Sequence, residues 1–389
     1  MQQGRVTLDS DYNEQGSIAL HQLRTTVRDL IGHFGAPREG GGFRIQPLAD
    51  GGLGISAGRY YVEGILVENE AECRYDSQPH GPLHPGDPLA DRRGSLLIYL
   101  DVWERHVTAL DDAAIREIAL GGPDTCSRAQ VVWQVRSLRI PPKGRNKPTS
   151  YADEITSLAS ARRPEMAARA SPYSSTANQL YRVEVHRAGE AGEATFKWSR
   201  DNGAVATAWV GGTVGLVQVW DVHLFEAGNL VELIDDTVEL QGLPGQLVKV
   251  SGVKRDTLLV KPASVTTAWQ PALRHPKARR WDSKDARGGA HRDRAIAVRE
   301  GAWISIEKGI QVNFAPGGRY YTGDYWLIPA RVATQAIEWP FSVKGEPMFQ
   351  PPRGIAHCYA PLAIATWDRD KLLVTSCRSE FAPLACEVG

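Results

Sequence analysis

His80 and His84 stand four residues apart, a spacing that places two metal ligands on one face when the segment is helical. Here they sit in a Gly/Pro-rich loop with no third ligand close by, so no metal site is assigned to them. His357-Cys358 brings together the residue types of a cysteine nucleophile and its base. Adjacent residues of a strand point to opposite faces, so Cys358 reads as a structural thiol instead. Glu232, Asp235 and Asp236 offer carboxylates for glycoside hydrolysis, which needs two of them roughly 5–10 Å apart across a cleft. Their crowding into one segment favours a turn or bulge. Lys197, Arg200, Asp201 and Asn202 are polar enough for a site, yet Asp-Asn-Gly is also what a tight turn demands. No Gly-rich phosphate loop, serine elbow or zinc-binding helix is present in the sequence. No catalytic, cofactor-binding or metal-ligating residue is therefore assigned, no cofactor is expected, and the chain is read as a non-enzyme.

The remaining candidates are contact residues. Arg274 to Arg299 holds nine Lys/Arg against three Asp, with Trp281 inside it. Arginine beside an aromatic stacks on sugars or docks on an acidic neighbour. Arg279, Arg280, Trp281 and Arg294 are accordingly interface candidates, as are Trp269 and Trp339, which lie next to Pro or Arg in expected loops. Arg5, on an N-terminal arm, completes the set. Trp133, Trp198, Trp209 and Trp303 fall inside strand patterns and are expected in the core.

These residues need elements to hold them. Forty-five basic residues balance 45 acidic ones, which argues against a globally cationic nucleic-acid binder. Hydrophobic content of 42% is enough for a sizeable core, and 62 Gly plus Pro among 389 residues favours turns and strands over long helices. No apolar run approaches the ~20 residues of a membrane span, and the start of the chain lacks the apolar core of a secretory signal. Five scattered cysteines point to reduced thiols and a cytoplasmic location, with a Cys377–Cys386 bridge left open.

One helix is expected, capped at Asp11 with Glu14 three residues on, its apolar stripe running through Leu20, Leu23, Val27, Leu30, Ile31 and Phe34. Such a stripe must dock on a sheet or on another subunit. Gly4–Leu8 reads as a short strand. Arg59–Val67 reads as a strand with a bulge at Gly64, and Asp111–Leu120 as a short helix. Ser199–Gly203 reads as the turn between the strands Ala194–Trp198 and Val205–Val210. Leu230–Leu240, Leu247–Val250 and Thr257–Val260 form a meander that closes its edges most simply as a small barrel. The expectation is thus a mainly β (α+β) fold with several short antiparallel sheets. An N-terminal arm, helix and β domain spans 1–141, an Ala/Ser/Pro-rich surface excursion 142–178, and a β-rich domain 179–389. The last contains a barrel-like module at about 211–262 and a basic loop at 274–299.

Several phrases together carry a resemblance. They are Gln3-Gly4-Arg5-Val6 with Asp9, Asp11 and Asn13-Glu14-Gln15; Asn178 to His186; Ala194 to Gly203; Gly323 to Arg331; Pro361-Leu362-Ala363; and Cys377-Arg378. The chain resembles an uncharacterised bacterial domain family found in gene clusters of contractile, phage-tail-like injection systems. The Tyr60–Val67 segment is also similar to phage baseplate and tail proteins. The resemblance implies a structural component, at the baseplate or another tail accessory position, acting by subunit assembly. Implied partners are copies of itself and baseplate, sheath or tube proteins. The implied location is a particle assembled in the cytoplasm, then released or docked on a membrane. Two alternatives stay open: a carbohydrate- or receptor-binding module of such a particle, and a polysaccharide hydrolase.

Overall fold

The computed structural model describes residues 5–81, 85–91, 93–140, 163–261, 268–283, 294–368 and 371–382. The fold is mainly β, with one long helix and a closed six-stranded barrel. Among the described residues no helix is long and apolar enough to cross a membrane. Two compact units emerge, neither continuous in sequence: Met1–Glu104 with Val131–Ala159 and His357–Gly389, and Arg105–Gln130 with Ser160–Ala356.

In the first unit, helix α1 spans Asp9–Ile31. It begins two residues before the expected cap: Leu8 is the N-cap, and the Asp11 carboxylate accepts from the Leu8 N–H at 2.9 Å. Residues 5–8 form no strand. Past the helix, Phe34–Pro37 pairs antiparallel with Gly58–Val62 and parallel with Glu380–Phe381, so the chain's two ends share a sheet. Gly64 makes no bulge. With Glu63 (φ 49°) it forms the two-residue turn between Gly58–Val62 and Ile65–Asn69, where two successive positive φ values match the strand twist. A second returning strand, Cys358–Asp368, pairs with the segment Ser95–Val102. Strand alternation delivers Tyr60, Val62, Leu96, Ile98, Leu100 and Trp133 to one core, with Phe43 edge-on to Trp133 at 4.9 Å.

In the second unit, a five-stranded sheet centres on Gln179–Arg187, flanked by Thr195–Ser199 and Tyr325–Arg331. Its inward face meets a three-stranded sheet through Phe196, Phe314, Tyr320 and Trp326. The barrel is larger than the expected meander. Besides Leu216–Val219, Leu230–Ile234, Gln246–Lys254 and Thr257–Val260 it recruits Ala206–Thr213 and Lys277–Trp281. The supposed basic loop is therefore a barrel strand over Lys277–Trp281, because hydrogen bonding to two neighbours outweighs its charge. Residues 284–293 of that stretch lie outside the described ones.

Other expectations need correction. The turn at Ser199–Gly203 exists, with Asn202 and Gly203 at positive φ, but it passes the chain from the five-stranded sheet to the barrel and makes no hairpin. Leu230–Leu240 is a strand to Ile234 and then a short helix α2, Asp236–Leu240, N-capped by Asp235. Residues 113–120 hold two 3-10 turns, not a helix. The surface excursion contains the strand Met166–Ala170, paired to Ile310–Phe314. Its residues 142–162 lie outside the described ones.

A Cβ on Gly64 would stand 2.3 Å from the Arg24 carbonyl oxygen, at φ +80°. Both the strain and the overlap with α1 predict that Gly64→Ala costs about 3 kcal/mol or more. Urea unfolding checks this.

Candidate functional site

The candidates resolve into two buried ionic clusters, a polar cleft and an open helix face. The first cluster follows from register. Glu184 and Lys197 are direct partners on neighbouring strands, so their side chains share a face, and Arg182 joins them two residues along. Lys197 Nζ lies 3.2 Å from Glu184 Oε1 and 2.5 Å from Glu232 Oε1, the latter on a barrel strand. Trp281 donates its indole N–H to Glu232 Oε2 at 2.9 Å, and its ring lies 4.5 Å from Lys197 Nζ. Arg182 Nε reaches Glu184 Oε2 at 2.5 Å and its guanidinium covers the Tyr325 ring at 3.7 Å. Lys197, Glu184, Glu232 and His186 are all buried. Burial alone raises the Glu232 carboxyl, but Lys197 and His186 outweigh it and hold the group below the usual carboxylate range. Burial likewise raises Glu184, and Arg182 with Lys197 reverses the sign.

The second cluster gathers Asp111, Asp236 and Glu239, whose carboxylate oxygens lie within 4.8 Å of one another. Three hard oxygens suit a divalent cation, but side-chain cations fill the place. Arg105 Nη2 reaches Asp236 at 2.5 Å and Asp111 and Glu239 at 3.2 Å. Lys277 Nζ bonds Asp111 and lies 3.1 Å from Glu239, and His275 Nδ1 lies 2.6 Å from Asp236 Oδ2. Burial opposes ionisation of Asp111, but Lys277 and the Thr108 N–H and hydroxyl outweigh it and bring the carboxyl down to about 2. A glycosidase acid needs a raised carboxyl. Glu232 and Glu239 are depressed, and Asp235 is committed to capping α2.

A cleft of about 430 Å³ lies over the barrel wall, lined by Arg200, Lys249, Arg280, Trp281, Asp282 and Ser283, among others. Its arginines are already paired: Arg280 with Asp201 at 2.9 Å, Arg200 with Glu307 at 3.0 Å. Of the four polar residues around the turn, Lys197 points into the buried cluster, Arg200 and Asp201 line or border the cleft, and Asn202 supplies the turn.

The interface candidates do not form one surface. Trp281 is 1% exposed and lies in a strand, not a loop. Arg279 is half-buried, opposite Glu232 in the barrel register. Trp269 packs half-buried against the barrel core, and Trp339 against the sheet core with its N–H on the Met348 carbonyl. Arg294 is half-buried, with backbone φ 62°. Arg5 is exposed and lines a groove with Val6, Tyr12 and Ile18. Trp133, Trp198 and Trp209 are core residues; Trp303 is half-buried, with the Arg169 guanidinium 4.1 Å from its ring. His80 packs edge-on to Trp133, and His84 lies outside the described residues. His357 precedes the strand that starts at Cys358 and bonds Asp101 at 2.7 Å, while Cys358 packs half-buried against the core. Cys377 is a free thiol; Cys386 lies outside the described residues.

Sequence reading missed Arg105, Asp111, Glu184, Glu239 and Lys277 as cluster members. No local signal marked Glu184, which takes the face opposite the core residues Val183 and Val185 and so reads as an ordinary solvent-facing position of an alternating strand. It also missed Trp220, 75% exposed, with the Arg116 guanidinium 5.8 Å from its ring.

A family described as "Family of unknown function (DUF6519)" matches residues 1–144 and 148–388. The chain belongs to that family. No curated protein and no solved structure matches it.

Lys197→Met leaves Glu184 and Glu232 buried without their shared cation, at an expected cost of about 3–5 kcal/mol at pH 7. In the native chain Asp111, Glu184, Glu232 and Glu239 all titrate below their unfolded values. Their contribution is full above about pH 4.5 and is lost as pH falls through the folded values. In the variant burial raises Glu232 instead, so the gap between the proteins narrows from pH 7 to pH 5. Urea unfolding at both pH values checks the sign.

Proposed function

We propose that this chain is a structural subunit of a contractile, phage-tail-like injection particle, at the baseplate or another accessory position of the tail. It works through the faces it offers to other subunits. The observation that carries the reading is the helix α1, in which Tyr12, Leu20, Leu23 and Leu30 are 68%, 47%, 59% and 61% exposed and no residue is buried. An apolar stripe of that length on a surface marks a contact with another molecule. The sequence phrases shared with the tail-associated family supply the kind of assembly. The neutralised carboxylates of both ionic clusters fit a scaffold better than a hydrolase, since neither leaves an acid or base free to act.

A second reading, a glycan- or receptor-binding module of such a particle, is favoured by Trp220, whose exposed ring beside Arg116 suits stacking on a sugar face. Binding on a glycan array that disappears in Trp220→Ala would move the choice to this reading.

The test of the first reading is sedimentation of the natively expressed, tagged chain from its own host. It is expected in the fast-sedimenting fraction together with sheath and tube proteins. A chain that stays in the slow fraction, with particles that assemble and contract unchanged after its gene is deleted, overturns the proposal.

A further inference from the structure

A further cleft, of about 660 Å³, lies in the second unit on the three-stranded sheet of Ile304–Ser305, Ile310–Phe314 and Met166–Ala170. Register sets its floor. Gln311 is the direct partner of Ser305 on one side and of Arg169 on the other, so the three side chains form a row on one face. Ala168, Ile310 and Val312 alternate with them and are buried in the core on the opposite face. The turn after Ile306 forms the rim, with Glu307, Lys308 and Gly309, and Ser171 faces it.

The acceptors of this row and rim already have donors. Arg169 Nε, which can only donate, bonds Gln311 Oε1 at 2.8 Å. That fixes the Gln311 amide, whose nitrogen donates to Ser305 Oγ at 3.0 Å and leaves Ser305 its hydroxyl proton to give. Glu307 accepts from the Tyr181 hydroxyl and from Arg200 Nη2, both at 3.0 Å. The backbone carbonyls of Glu307, Lys308 and Gly309 accept from the N–H groups of Ile310, Ser174 and Ser171 at 2.8, 3.1 and 3.1 Å.

Donors are what remain. Unlike the cations of the two buried clusters, Arg169 Nη1 and Nη2 and Lys308 Nζ have no partner among the described residues. The Trp303 ring, 4.1 Å from the Arg169 guanidinium, holds that fork in place from behind. Two open cations and hydroxyl donors, with the only carboxylate committed elsewhere, select an anion and not a metal ion. Backbone geometry at the rim agrees. Lys308 (φ 50°) and Gly309 (φ 84°) are the central residues of a two-residue turn whose first place suits Asn, Asp or Gly. A lysine held there at a cost in strain points to a use for its ammonium group. The volume falls within the roughly 300–1,000 Å³ of small-molecule sites, and serine, glutamine and charged walls suit a hydroxylated ligand over an apolar one.

We propose that this cleft binds a hydroxylated small molecule through an oxyanion group, carboxylate or phosphate, with Arg169 and Lys308 on the charge and Ser171 and Ser305 on hydroxyls. A sugar acid or a sugar phosphate has this chemistry. The site goes beyond the assembly reading and does not depend on it.

Isothermal titration of the full chain with glucuronate, glucose 6-phosphate, glucose and inorganic phosphate tests this. At least one of the two acids is expected to bind with a Kd on the order of millimolar or lower, and the one that binds more tightly identifies the anion. Glucose is expected not to bind, and inorganic phosphate to bind more weakly than the preferred acid. Lys308→Asn places a residue suited to φ 50°, so its urea midpoint is expected to match or exceed the native one while affinity falls about tenfold or more. Arg169→Lys, which keeps the charge but loses the fork, is expected to weaken binding as well. A chain that binds neither acid, glucose or phosphate binding as tightly as the acids, or acid binding that Lys308→Asn and Arg169→Lys leave unchanged would each overturn the site.

Discussion

A single buried ammonium group joins two halves of the second unit. Lys197 belongs to the five-stranded sheet, and one of its two carboxylate partners, Glu232, belongs to the barrel. Buried charge is tolerated only when it is paired and hydrogen-bonded. Here Arg182, Lys197 and the Trp281 indole satisfy Glu184 and Glu232 between them. Gly245 has no side chain because a Cβ there would stand 2.6 Å from Glu232 Cγ. The second cluster repeats the logic with Arg105 and Lys277 among three carboxylates. An apolar interface would bind sheet to barrel as strongly, but with less demand on geometry. The ionic arrangement makes one relative placement of sheet and barrel far better than its neighbours.

The first unit treats its polar and apolar groups in the opposite sense. Its core is a conventional set of alternating strand residues around Phe43, Tyr60 and Trp133, while α1 pairs Arg24 and Arg28 with Glu104 and Glu63 of its own unit and leaves Leu23 and Leu30 largely exposed. In a free monomer that arrangement forgoes burial worth roughly 1.5–3 kcal/mol for each large apolar side chain. The chain recovers that stabilisation when the face is covered. On the assembly reading, the helix is the part that is completed by another molecule.

Much of the fold was legible. Alternation placed the strands around Leu96, Val183 and Phe196, and the three- and four-residue spacing located α1. Closed strand edges foretold a barrel in the right segment. Its true extent was not legible, since Lys277–Trp281 carries three cations in five residues and reads as solvated. Only the facing carboxylates, up to 166 residues away in sequence, make those charges compatible with a barrel wall. Trp281 was misplaced for the same reason. The ionic clusters themselves were invisible because each joins residues from strands that no local pattern brings together. How much of the α1 stripe stays exposed was equally hidden, because it depends on what packs against the helix and not on the helix itself.

The central claim is that buried charges are closed within the second unit while the apolar face of α1 is open until another molecule covers it. Hydrogen exchange of the native assembled protein, compared with the same chain dissociated into monomers, measures this directly. The account predicts that the amides of residues 16–30 gain protection on assembly while the strands around Lys197 and Glu232 are equally protected in both states. Equal, fast exchange of residues 16–30 in both states, with new protection elsewhere on the surface, would contradict it.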